Sequence, residues 1–213
     1  MGDEISKTAF TGHDFQRFGA RLSAETALAC DWLRAGRLSE QGFAIGFELE
    51  AWLLDHASFP RPVNERFLRT LNHPLVVPEL SRFNVELNCT PQPLRGYALR
   101  IAEAELEEIW ARCNAVAHGL DANMVMIGTL PTIRNEDLSL DNMSPLKRYY
   151  ALNSEVLRQR GGNPIRIDIN GRERLSVEHS DVMLEAATTS FQVHLKTPAH
   201  LAQDYFNASL IAS

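Results

Sequence analysis

Hydrophobic residues return along the chain at two spacings, and the spacing separates helices from strands. Between Asp14 and Ala35, Phe15, Phe18, Leu22 and Leu33 fall on one stripe of a 3.6-residue period and Gly36 supplies a stop, so a helix is expected. From 43 to 54 the pattern becomes alternation. Phe43, Ile45, Phe47, Leu49, Ala51 and Leu53 take one side of a strand, and Ala44, Gly46, Glu48, Glu50, Trp52 and Leu54 take the other. Prolines 60, 62 and 74 frame NERFLRTL, a short helix between loops. The stretch RFNVELNCT, 82–90, alternates again, setting Phe83, Val85, Leu87 and Cys89 against Asn84, Glu86, Asn88 and Thr90.

The clearest helix follows. Leu99, Ala102, Leu106, Ile109, Cys113, Val116 and Leu120 step by three and four, while Glu103, Glu105, Glu107 and Glu108 lie mostly off that stripe and form a solvated face. NMVMIGTLPT reads as a strand running into a loop, and the segment from Asn135 to Pro164 as a loop, a helix and a Gly-Gly turn. Asn170-Gly171 signals a type I′ hairpin between two extended arms. A last strand, 188–196, places Phe191, Val193 and Leu195 opposite Thr188, Ser190, Gln192, His194 and Lys196, and Pro198 opens a final helix. These elements predict an α+β fold: a curved antiparallel sheet with helices packed on one face, in a single domain over 1–213 with a leading helical segment, 1–40, ahead of a body at 41–213. The final helix has no stop signal, and the chain is read as the N-terminal part of a longer catalytic domain.

Composition narrows the classes. A net charge of −6 gives no basic field to hold nucleic acid or an anionic membrane. Cys30, Cys89 and Cys113 fit neither a disulfide framework nor a zinc site, so a reducing, cytoplasmic setting is expected. No secretory signal and no bilayer-spanning apolar run is visible. Six histidines, 13, 56, 73, 118, 179 and 200, are scattered without ligand spacing. Arg166 and Asp168 read equally as a substrate edge or an exposed hairpin face.

The candidate chemistry lies on the polar faces of three strands. Acids and amides dominate them and Lys and Arg are sparse, unlike an ordinary solvated face. Glu48 and Glu50 sit on one strand face with Cα atoms about 6.6 Å apart. Carboxylates gathered this way repel unless a cation or a proton intervenes. Oxygen donors without cysteine favour Mg²⁺ or Mn²⁺ over zinc. Trp52, on the same face, is expected to pack at its rim, and Cys89 to belong to the core.

GFELEAWLLD, PELSRFNVELNCTPQPL, SLDNMSPLKRYYALNSEVLRQRGG and DVMLEAATTSFQVHL together resemble the glutamate–cysteine ligase family, in its type 2 carboxylate–amine ligase branch, from about residue 40 onward. The resemblance implies a glutamine-synthetase-like catalytic fold, whose concave sheet binds divalent metals, ATP and an amino-acid carboxylate. It implies Glu48 and Glu50 as paired metal-binding acids, and Glu79 and Glu86 as a second pair shared with the substrate. Gln192 and His194 occupy the strand where relatives place a side chain near metal and phosphate, and which of the two is the ligand stays open. Asn84, Asn88, Lys147 and Arg148 complete the implied substrate and nucleotide contacts, with Tyr149 beside them in a basic-aromatic segment.

The implied reaction phosphorylates a carboxylate, that of glutamate, with ATP, and an amine such as cysteine then attacks the acyl phosphate to give an amide. Further family acids and cations belong to a later part of such a chain, so these 213 residues alone are expected to bind Mg²⁺ weakly and turn over negligible ATP. The competing expectation is a non-catalytic relative whose sheet binds an amino acid, peptide or partner without metal.

Overall fold

In the computed structural model, which describes residues 3–212, the alternating stretch after residue 43 forms strand β1 (Ala44–Leu54). It is the hub of an antiparallel sheet. Strand β3 (Asn84–Asn88) runs against it in the register Glu48↔Asn88, Glu50↔Glu86 and Trp52↔Asn84, and β2 (Val76–Pro78) pairs with β3 in turn. Strand β4 (Gln92–Pro93) pairs with Ala44 and Ile45, β5 (Asn123–Val125) with Trp52 to Leu54, and β8 (Phe191–Lys196) also joins β1. Among the described residues there are five α-helices: α1 (Gly12–Arg34), α2 (Asn64–Leu71), α3 (Ala98–His118), α4 (Lys147–Gln159) and α5 (Ala202–Ala212). The α+β class and the antiparallel sheet are therefore present as expected. No helix among the described residues is long and apolar enough to cross a membrane.

The chain divides into two compact units. Among the described residues, the first comprises 3–10, Glu48–Asn88 and Leu106–Phe191. Its first apolar cluster joins Ala51, Leu53, Val85 and Leu87 of the sheet to Phe67 and Leu71 of α2 and to Ile109, Cys113 and Ala117 of α3. The alternation and the helical period thus meet on one face, as the sequence implies.

The opposite face is not left to solvent along its length. Trp52 and Leu54 enter a second cluster with Leu80, Phe83, Leu130, Met143, Met183 and Tyr149 of α4. Helices thus lie on both sides of this part of the sheet, and Trp52 is an interior residue rather than a rim one. Its ring stacks on Phe83 at 5.5 Å, and its Nε1 donates to the Ile127 carbonyl at 2.9 Å. Phe83 precedes the first ladder residue of β3, which frees it from the strand's parity and lets it turn to the Trp52 side.

Also in this unit, strands β6 (Ile165–Asn170) and β7 (Arg174–His179) form the expected hairpin, with one correction. Asn170 pairs with Arg174, so the loop has three residues, 171–173, in place of a two-residue type I′ turn. The Arg166–Glu178 and Arg174–Asp168 ion pairs hold the charged side of the hairpin, which makes it an exposed ion-paired face.

The second unit comprises Thr11–Phe47, Cys89–Glu105 and 192–212. A capping box starts α1: Asp14 N donates to Thr11 Oγ1 at 3.3 Å and Thr11 N to Asp14 Oδ2 at 2.9 Å. None of its residues is buried, so the predicted stripe does not enter a core; Phe18 keeps 64% of its surface exposed and Leu33 59%. Leu99, at the start of α3, is likewise exposed, although the rest of its stripe packs inward. Val193 and Leu195 of β8 are exposed too, so alternation there does not mark a buried face. Glu105 departs from the solvated glutamates of α3. Its carboxylate accepts from Thr90 N at 2.6 Å and from Thr90 Oγ1 at 2.7 Å.

Candidate metal centre

Strand parity places Glu50 and Glu86 directly opposite one another on the same face of the first unit's sheet. Glu79 stands one residue past the last ladder pair of β2, Pro78↔Val85. Oxygens of Glu50, Glu79 and Glu86 all lie within 4.8 Å of one another. Glu86 is 1% exposed, and Glu50 and Glu79 are half-buried.

Hydrogen bonds orient each acid differently. Ser190 N and Ser190 Oγ both donate to Glu50, each at 2.9 Å, while Glu50 N donates back to the Ser190 carbonyl at 3.0 Å. Asn88 Nδ2 donates to Glu86 Oε1 at 2.8 Å. Glu79 Oε2 accepts from Leu80 N at 3.2 Å, and its Oε1 is buried with no donor. Burial, then Glu86, then the Glu50 charge push the Glu79 carboxyl up to about 8, so it holds a proton where an ordinary glutamate is ionised. Three acids in a confined, oxygen-only donor set fit a hard divalent ion, which relieves the same repulsion that the proton relieves.

A buried amide lies on this face as well. Asn84 is 3% exposed and opposes Trp52 in the ladder; its Oδ1 accepts from Ser81 Oγ, and its Nδ2 makes no hydrogen bond. Its amide donor thus leaves hydrogen-bonding capacity unused on the sheet face that carries the acids.

The other sequence candidates fall as follows. Glu48 is half-buried on the face of Glu50, two ladder pairs away and opposite Asn88, outside the group of three converging acids. Lys147 opens α4 on the surface, and its backbone N–H donates to Glu4. Arg148 lies over the Tyr149 ring at 4.8 Å. Gln192 and His194 are exposed on β8 in the second unit. Sequence reading missed Asn64 and Ser144, both 1% exposed, which link the segments around Glu79. Asn64 Nδ2 donates to the Ser81 carbonyl at 3.0 Å and to Ser144 Oγ at 2.9 Å. Their signal in the sequence was slight: one polar residue opening a helix and one ahead of a proline. No protein-family model matches the chain, and no curated protein or solved structure does either.

Proposed function

We propose that the protein is an ATP-dependent carboxylate–amine ligase of the glutamate–cysteine ligase type, with Glu50, Glu79 and Glu86 holding Mg²⁺ or Mn²⁺. The observation that carries this reading is the convergence of three carboxylates, one of them almost wholly buried, on a sheet face that also carries Asn84. A divalent ion there supplies charge neutralisation for phosphate oxygens. The chain's own residues do the rest. Ser190 and Asn88 fix the Glu50 and Glu86 carboxylates, and Asn84 offers a hydrogen bond to a carboxylate or phosphate oxygen of the substrate. Glutamate and ATP are the proposed substrates, with cysteine or another amine as acceptor.

The exposed Val193 and Leu195 favour a second reading, in which strand β8 binds a peptide or partner without catalysis. Calorimetric titration with ATP separates the two. The ligase reading expects ATP binding in Mn²⁺ that is lost on chelation and in Glu86→Gln. ATP binding that ignores both treatments, or no binding at all, favours the second reading. A phosphate-release screen of amino acids and amines with the full-length protein then identifies the substrate pair.

A further inference from the structure

Glu50 and Glu86 receive their positions from the β1–β3 ladder, but Glu79 lies beyond the pairing of β2 and needs another source of order. Three contacts from distant segments supply it. Tyr149 Oη donates to the Pro78 carbonyl at 3.2 Å, Ser144 Oγ donates to the Glu79 carbonyl at 2.5 Å, and Ser144 N donates to the Leu80 carbonyl at 2.8 Å. The residues before, at and after position 79 are each held by one of them.

Arg148 Nη2 donates to Tyr149 Oη at 3.1 Å, and a guanidinium has no acceptor, so the Tyr149 proton is not spent on Arg148 and serves the bond to Pro78. Asn64 Nδ2 donates to Ser144 Oγ at 2.9 Å, which likewise commits the serine proton to Glu79. Tyr149 and Ser144 are 7% and 1% exposed, so water competes little for these bonds.

We propose that Tyr149 and Ser144 are positioning residues for Glu79: by fixing the backbone from Pro78 to Leu80 they bring its carboxylate to Glu50 and Glu86. This rests on the reading that the three acids hold a divalent ion. Groups that orient metal ligands without touching the metal typically change affinity by about 10- to 100-fold when removed.

The test is a double-mutant cycle read as Mn²⁺ affinity, by calorimetry on the full chain, for wild type, Tyr149→Phe, Glu79→Gln and the double variant. Tyr149→Phe keeps the ring and removes one oxygen. It is expected to weaken Mn²⁺ binding about tenfold in the wild-type background and to add no further loss once Glu79 is Gln. Ser144→Ala is expected to follow the same pattern, and it carries the test should Tyr149→Phe not fold. A merely structural role instead lowers the melting temperature equally in both backgrounds and leaves the affinity unchanged. Unchanged affinity in the single variants, or an equal loss in the Glu79→Gln background, overturns this inference alone. Wild-type protein that binds no Mn²⁺ overturns the metal reading and this inference with it.

Discussion

Glu50 and Glu86 face each other across the β1–β3 ladder, two acids at one rung of an antiparallel pair, and Glu79 adds a third. Like charges directly opposite in a sheet oppose folding. Without a cation, this arrangement exists because one member keeps its proton and neighbouring donors satisfy the others.

Neutralising the buried member should therefore stabilise the metal-free fold. Glu86→Gln retains an oxygen to accept from Asn88 and removes a charge beside Glu79. Urea unfolding in a chelator at neutral pH is expected to show a gain of about 1 kcal/mol. A loss of stability would show that the charge is compensated by something other than a proton on Glu79.

The proton gives a pH dependence with a definite sign. The Glu79 carboxyl lies near 8 when folded and near 4.5 when unfolded, so the native state binds the extra proton in between. Its contribution is full below about 4.5 and is lost as pH rises through about 8. In chelator, wild-type stability relative to Glu79→Gln should fall steadily across that window. A flat or rising difference contradicts the proton assignment.

The Trp52–Phe83 stack anchors the second cluster of the first unit, and both side chains are wholly buried. Phe83→Ala is expected to cost about 3–5 kcal/mol. Denaturant titration followed by tryptophan fluorescence measures it, and a cost near 1 kcal/mol would mean that the cluster collapses around the gap.

Glu105 should stand apart from its neighbours on α3. Glu105→Ala removes the acceptor of Thr90 N and Oγ1 and is expected to cost about 1 kcal/mol. Ala at Glu103, Glu107 or Glu108, all exposed, should stay within about 0.5 kcal/mol of wild type.

What the sequence made legible follows from periodicity. Alternation put Glu48, Glu50, Asn84, Glu86 and Asn88 on one face before any coordinates, because a strand permits only two sides and the ladder keeps them aligned. The same rule could not say what stands behind a face. It treated Phe191, Val193 and Leu195 as core-facing, although they are exposed, and it placed Trp52 at a rim, although the second cluster encloses it. Phe83 escaped because parity ends where the ladder ends. Asn64 and Ser144 were invisible for a related reason: a single polar residue at a helix start or in a loop acquires meaning only when distant segments close around it. Glu79 came from the family resemblance alone, since no period passes through it.

Binding of one hard divalent ion by Glu50, Glu79 and Glu86 is read out by the melting temperature of the full chain titrated with Mn²⁺. A ligand specific to the native state adds about 2.7 kcal/mol of stability at 100 times its Kd. A rising, saturable shift is expected for wild type, reversed by chelator and abolished in Glu86→Gln, while that variant starts from a higher metal-free baseline. No shift in wild type, or an equal shift in Glu86→Gln, contradicts it.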